Sequence, residues 1–290
     1  MEPLVSVITP AYNAAPFIGD TVRSVLMQTY RNLEIIVADD GSTDETANIV
    51  KALAKEDPRV KYVHQSNAGQ SAARNAAIAE AKGVYLAFLD ADDLFLPSKL
   101  KKQVQYLEAH PECGLSYCKI HHFFNDDPRR PFYFSVPSPS GVLFEELLKT
   151  NFINPLSVVL RKELLDRYGA FEPTFRRLDE QYLWLKLARH GVQFCYLPEA
   201  LANYRIHRTS LSNESVYFKE TEAQVLRLLE MMKNDWLAPE EVQKYHIDDL
   251  EKRARKRLFI GKMIAGKNIF SRLLLKVYYW KRMRRMHPDA

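Results

Sequence analysis

Two hydrophobic periods alternate along the first hundred residues. Short, β-branched and largely apolar runs at 5–9 and 33–38 have strand length, as expected of strands covered on both faces of a parallel sheet, and 60–63 and 84–89 supply two further strands. Between them the apolar positions fall at helical spacing: Ile18, Val22, Val25 and Leu26 within 17–27, Ala47, Val50, Leu53 and Ala54 within 43–55, then an Ala-rich stretch at 71–82. The order is βαβαβαβ, which predicts an α/β domain with a mostly parallel central sheet. Ligands of such sheets sit outside the carboxyl ends of the strands. Three polar clusters fall there, at 10–13, 39–44 and 90–93.

From 97 to about 196 the pattern is less regular. It predicts a helix over 97–109, a short strand at 114–118, a strand at 156–160, and a helix over 179–190 carrying Leu183, Trp184 and Leu187. The polar, Pro-rich segment 125–140 reads as a loop and a candidate lid or acceptor loop. Beyond 215 the text is helical, over 217–233 and from 239 to about 286, interrupted near Gly261 and Gly266. The expected organisation is one large domain over 1–215 and a helical extension over 216–290.

Composition narrows the class. At 290 residues, 47% hydrophobic and 27% charged, the chain reads as an ordinary globular protein. Three cysteines, Cys113, Cys118 and Cys195, form an odd and sparse set that suits buried thiols in a reducing compartment. The start of the chain shows no basic-then-apolar leader, and no apolar run approaches the roughly 18 residues of a membrane span. Both observations predict a cytoplasmic protein. The net charge of +5 is unevenly spread: 252–285 holds thirteen Lys or Arg and no Asp or Glu, so the rest carries −8. That segment also holds Leu258, Phe259, Ile260, Phe270, Tyr278, Tyr279 and Trp280. Basic charge interleaved with apolar residues predicts contact with an anionic membrane surface through 252–286, and hence peripheral attachment to the inner face of the cell membrane. Packing on the catalytic domain is the alternative. Nothing resembling a nucleic-acid-binding module accompanies the charge, so no nucleic-acid partner is expected.

The most informative stretch is Asp90-Ala91-Asp92-Asp93, directly after the apolar run 84–89. Unpaired carboxylates at a strand exit repel one another and resist dehydration, so the cluster calls for a cation. Mg²⁺ and Mn²⁺ take oxygen ligands and leave positions for substrate phosphates, which points to a phosphorylated substrate.

Five segments together resemble the family 2 inverting glycosyltransferases of the GT-A fold: 5–13 (VSVITPAYN), 38–44 (ADDGSTD), 67–75 (Asn67-Ala68-Gly69 with Ala73-Arg74-Asn75), the Asp-x-Asp cluster 90–93, and Tyr204-Arg205-Ile206-His207. The resemblance implies a Rossmann-related sheet with a nucleotide-binding half over 1–96 and an acceptor-binding half over 97–215. It implies a nucleoside diphosphate sugar donor, most simply a UDP-sugar, and a glycan or lipid-linked acceptor of bacterial surface polysaccharide. Pro10, Tyr12, Asn13, Asp39, Asp40, Asn67, Arg74, Asp90, Asp92 and Arg205 are then expected at the nucleotide sugar. Asp40 is expected to read the imide of uracil and Tyr12 to stack on the base. Arg74 can pair with phosphate or hold one of the clustered carboxylates. Asp92, Asp93 and His207 are expected at a Mn²⁺ or Mg²⁺ ion that stabilises the departing diphosphate.

An inverting transfer needs a base on the far side of the sugar. The family places an Asp for this in a Glu-Asp pair before a helical Leu-Trp, whereas this chain reads Asp179-Glu180-Gln181-Tyr182-Leu183-Trp184. By position Glu180 is the expected base, with Asp179 the alternative. Two rival functions remain: a sugar nucleotidylyltransferase, whose Gly-rich N-terminal loop is replaced here by Pro10-Ala11-Tyr12-Asn13, and a nucleotide-sugar-binding protein without turnover.

Overall fold

The computed structural model describes residues 2–133, 138–207 and 217–264, which form two compact units, one of 2–133 with 138–207 and one of 217–264. The first unit opens with β1 (Val5–Ala11), α1 (Ile18–Leu26), β2 (Leu33–Asp39), α2 (Thr46–Glu56), β3 (Val60–His64), α3 (Gln70–Ala79) and β4 (Tyr85–Phe88). The expected βαβαβαβ order is therefore present. After it come β5 (Leu94–Phe95), α4 (Lys99–Ala109), β6 (Cys113–Phe124), β7 (Asp127–Phe132), α5 (Phe144–Lys149), β8 (Val158–Arg161), α6 (Lys162–Tyr168), α7 (Asp179–Arg189) and β9 (Gln193–Ile206).

The nine strands among the described residues form one sheet in the order β3-β2-β1-β4-β8-β6-β9-β5, with β7 added to β6. Strands β3, β2, β1 and β4 are mutually parallel, β6 and β9 are parallel to each other, and β8, β5 and β7 pair antiparallel. Every residue of β1, β2 and β4 is buried, which is why their sequences run apolar without alternation. One charge inside this layer is satisfied locally. Glu34 on β2 accepts from Ser6 Oγ at 2.6 Å, from the Lys82 amide at 2.8 Å and from Lys61; burial pushes its pKa up, but these donors outweigh it and the net shift is down. Gly83 precedes β4 because a Cβ there would fall 2.6 Å from the Ser6 nitrogen. The core also takes the fully buried Trp184 of α7, whose indole N–H donates to the Ile153 carbonyl at 3.0 Å.

Two expectations need correction. Segment 125–140 is not all loop, because 127–132 forms β7, paired to β6 through His122↔Phe132 and Phe124↔Asp127. Pro128 and Pro131 read as breakers, yet β7 pairs with β6 alone, at the rim of the sheet, where a strand tolerates proline. Cys113 and Cys195 are not thiols: they form a disulfide with Cα atoms 6.0 Å apart, and only Cys118 is a buried free thiol. Parallel strands β6 and β9 bring together two cysteines 82 residues apart, a proximity their spacing conceals.

In the second unit α8 (Tyr217–Met231), a π-turn at Met232–Trp236, α9 (Pro239–Lys244) and α10 (Ile247–Ile264) follow one another. Buried Glu222 of α8 accepts from Arg257 Nε of α10 at 2.9 Å. Lys252 and Arg255, at the start of the basic segment, pair with Asp249 and Glu251. Most of that segment, 265–286, lies outside the described residues. Among the described residues no helix is long and apolar enough to cross a membrane.

Candidate active site

Strands β1, β2 and β4 are in register, Ala11 beside Asp39 and Ile8 beside Phe88, so their three exits meet at one edge of the sheet. After β1, Tyr12 stands 52% exposed, and Asn13 has a left-handed backbone, φ 48°. The Asn13 amide donates to Ser42 Oγ at 2.9 Å and its Oδ1 accepts from the Thr43 amide at 2.8 Å, clasping the first two exits together. Pro10 is the last-but-one residue of β1, beside Ala38.

Asp39 and Asp40 are both buried and both occupied by the chain. Asp39 accepts from the Ser42 amide at 2.9 Å and from the Tyr62 hydroxyl at 2.7 Å; burial pushes its pKa up, and these bonds bring it below the ordinary value. Asp40 accepts from Gln65 Nε2 at 2.7 Å and from the amides of Ala68 and Gly69 at 2.8 Å each. It therefore shapes the loop that exposes Asn67. Gly41 sits at φ +76° with the Asn67 nitrogen 3.1 Å from where a Cβ would lie, so a side chain there would be strained in conformation and tight against the Asn67 backbone.

The third exit splits by direction. Asp90 and Asp92 stay partly exposed, at 36% and 32% of their side chains, while Asp93 is 1% exposed. Asp92 Oδ2 lies 2.8 Å from Nε2 of His207, whose ring packs on Phe17 at 4.4 Å. Burial and the neighbouring Asp90 push the Asp92 pKa up, partly offset by His207. Asp93 turns inward: Oδ1 accepts the Arg205 amide at 2.8 Å, and Oδ2 is buried with no hydrogen-bond partner among the described residues. Burial first, then Asp92 and Asp90, hold its pKa well above the usual carboxylate range.

Arg205 is likewise structural in placement. Its Nε donates to the Asp92 carbonyl at 2.7 Å, one terminal nitrogen donates to Asn125 Oδ1 at 2.8 Å, and the guanidinium lies between Phe17 and Phe123. It locks the end of β9, and so His207, onto the carboxylate cluster.

Arg74 does not reach the surface. It is 1% exposed on α3 and bridges Asp90 Oδ1 at 2.8 Å and Asp179 Oδ2 at 2.7 Å. Asp179, also 1% exposed, accepts further from Ser71 Oγ at 2.9 Å and Gln70 Nε2 at 3.2 Å. With these donors Asp179 fixes the first turn of α7 to α3. The next residue, Glu180, is half-buried and accepts from Asn151 Nδ2 at 3.1 Å. Burial, then Asp179 and Asp90, against Arg74 and Asn151, push its pKa up to about 8.

Three groups thus come together: Asp92 with His207; Asp90, Arg74, Asp179 and Glu180, next to the first because the charge of Asp90 acts on Asp92; and Tyr12, Asn13 and Asn67 around the exits of β1 and β2. Ser71, Asn125 and Asn151 were not among the sequence candidates. A lone Ser or Asn in a helix or loop carries no local signal of a partner about 80 to 110 positions away, or even 29.

The solved structures with the same architecture include Staphylococcus aureus TarS 1–349 in complex with UDP-GlcNAc, TM-score 0.66 at 20% identity over 92% of this chain and 77% of that one. Another is the Pyrobaculum calidifontis mannosyltransferase PcManGT in complex with GDP-Man and Mn²⁺, TM-score 0.62 at 21% identity over 98% of this chain and 81% of that one. The fold is that of the GT-A glycosyltransferases. The profile described as glycosyl transferase family 2 matches residues 6–169, and the chain belongs to that family. Among curated relatives, Escherichia coli WfgD, a UDP-Glc:alpha-D-GlcNAc-diphosphoundecaprenol beta-1,3-glucosyltransferase, is 33% identical over 76% of this chain and 83% of its own length. Bacillus subtilis (strain 168) TuaG, provisionally named a teichuronic acid biosynthesis glycosyltransferase, is 35% identical over 73% and 82%.

Proposed function

We propose that this enzyme transfers a sugar, with inversion, from a UDP-sugar to a hydroxyl of a lipid-linked glycan in surface polysaccharide synthesis, with Mn²⁺ or Mg²⁺ bound. The observation that carries the reading is Glu180: a half-buried carboxylate with its pKa pushed up to about 8, held beside a fully ion-paired Asp179. A base whose pKa lies near the working pH accepts a proton most effectively. As the acceptor oxygen bonds to the anomeric carbon, its proton passes to Glu180, while the sugar–phosphate bond breaks and its electron pair leaves with UDP. Asp179 is assigned to holding Glu180 in place, because all its reach is spent on Arg74, Ser71 and Gln70.

The donor chemistry suits a hard divalent ion: partly exposed Asp92, crowded by like charge, faces an imidazole nitrogen, and substrate phosphates can complete such a shell. Among the described residues no three acidic, His or Cys side chains form a metal cage, so phosphate has to supply part of it. Asp92 and His207 would hold the ion, and Asp93 is reassigned from ligand to anchor of Arg205. When bound, it supplies Lewis-acid stabilisation of the leaving diphosphate. A UDP-sugar donor is supported by the name of WfgD, a UDP-Glc transferase, and by TarS in complex with UDP-GlcNAc, whereas PcManGT is in complex with GDP-Man. Tyr12 and Asn67 frame the nucleotide in a half over 1–96, the acceptor lies in 97–215, and 216–290 forms the extension.

The test is transfer from UDP-glucose and UDP-GlcNAc, with and without Mn²⁺, to short-chain lipid diphosphate sugars. Glu180→Gln should keep UDP affinity and lose about 10² to 10⁴ in kcat. Wild-type turnover by that variant overturns Glu180 as base; a larger loss in Asp179→Asn with Glu180→Gln active moves the role to Asp179.

A further inference from the structure

We propose that Asn151 contacts the acceptor, its side-chain carbonyl receiving a hydrogen bond from the hydroxyl or amide next to the hydroxyl that Glu180 deprotonates. The inference rests on the reading of Glu180 as base. Asn151 lies in the segment between α5 and β8, and its two polar atoms have different fates. Nδ2 donates to Glu180 Oε1 at 3.1 Å, whereas Oδ1 is buried and has no hydrogen-bond partner among the described residues. Leaving a buried carbonyl without a donor is unfavourable, and native structures keep few of them. One amide carries both atoms, so whatever donates to Oδ1 sits beside the Glu180 carboxylate. A sugar ring presents that arrangement: two donors on adjacent carbons, one to lose its proton and one to be recognised. The acceptor is therefore a pyranose with a hydrogen-bond donor flanking the attacked hydroxyl.

Asn151 has a second consequence through the base. The groups facing Glu180 are Asp179 of the same helix, Arg74 of α3, Asp90 after β4, and Asn151. The Asn151 N–H favours the ionised carboxylate, so removing it moves the Glu180 titration to higher pH.

The experiment uses the full chain with UDP-glucose, Mn²⁺ and a panel of short-chain hexose and N-acetylhexosamine lipid diphosphates. Each working acceptor is compared with analogues lacking one substituent beside the attacked hydroxyl. The wild type should discriminate against one analogue by about 10- to 100-fold in kcat/KM. Asn151→Ala should lose a similar factor on the parent acceptor, lose the discrimination, move the acid limb of the pH profile upward and leave the calorimetric Kd for UDP unchanged. Asn151→Asp, which keeps the shape and an acceptor oxygen, should keep the discrimination and move the acid limb further up; it also serves if the Ala variant fails to fold. Discrimination retained in Asn151→Ala, or an unmoved acid limb in both variants, overturns the inference, as does a loss of stability alone, which would mean that Oδ1 holds only water. If Glu180→Gln is inactive while Asn151→Ala behaves as wild type, only this inference falls. Full turnover by Glu180→Gln, or no transfer to any panel member, removes the functional reading and this inference with it.

Discussion

Glu180 is the residue at which charge, burial and chemistry meet. Its carboxyl binds a proton up to a pH of about 8, against 4.5 for an ordinary Glu, because burial and the charges of Asp179 and Asp90 outweigh Arg74 and Asn151. The base must be ionised to act, so kcat/KM for the acceptor should rise with pH and reach half its maximum near 8, which a pH–rate profile reads directly. Stability has the opposite sign. The folded chain keeps a proton that the unfolded chain loses above about pH 4.5, so this stabilising uptake is complete below that pH and gone once pH passes 8. Glu180→Gln does not titrate. Its Tm relative to wild type should therefore climb between pH 5 and pH 9, and a constant difference would contradict the raised pKa. Arg74 answers to a different measurement. It is the buried cation between two carboxylates, and Arg74→Met strands Asp179 at 1% exposure, so urea unfolding should show a loss of about 3–5 kcal/mol.

Elements that depend on local pattern were legible, and those that depend on distant pairing were not. The apolar runs of β1, β2, β3 and β4 and the helical spacing of α1, α2 and α4 lie in the sequence within a residue or a few of where they form. Strand β9, 14 residues long, left little trace, because its one polar-and-apolar text pairs with β6 over most of its length, with shifts in register, and with β5 at Leu94–Phe95. The candidate site divides the same way. The places of Asp92 at a strand exit and of Glu180 at a helix start follow from local pattern, but the inward turn of Asp93 and the enclosure of Arg74 follow from α3, α7 and β9 closing on the strand ends. The helix pair gives a test at this scale. Asp179 fastens α7 to α3 through Ser71 and Arg74, so Asp179→Asn should lower the unfolding midpoint and leave more residual transfer than Glu180→Gln. Ser71→Ala should reproduce a smaller part of that loss, about 1 kcal/mol.

Across the whole chain the charge is divided, and the division has a place in the proposed reaction. Within 252–258, Lys252, Arg255 and Arg257 pair with Asp249, Glu251 and Glu222, so part of the basic segment is spent on neighbours in its own unit. Most of the remaining basic charge falls between Lys262 and Arg285, with Tyr278, Tyr279 and Trp280 among it, largely outside the described residues. A lipid-linked acceptor stays in the membrane, so an enzyme drawn to an anionic surface meets it at higher local concentration, each Lys or Arg near the lipid contributing about 1 kcal/mol. Co-sedimentation with vesicles containing anionic lipid should therefore be strong at low salt and weaken toward 0.15 M, where screening cuts the electrostatic reach to about 8 Å. Truncation after Arg257 keeps the Glu222 pair and should abolish sedimentation while sparing transfer to a water-soluble acceptor. Equal binding to neutral and anionic vesicles would remove the electrostatic role, and loss of transfer to the soluble acceptor would show that the segment does more than attach the enzyme.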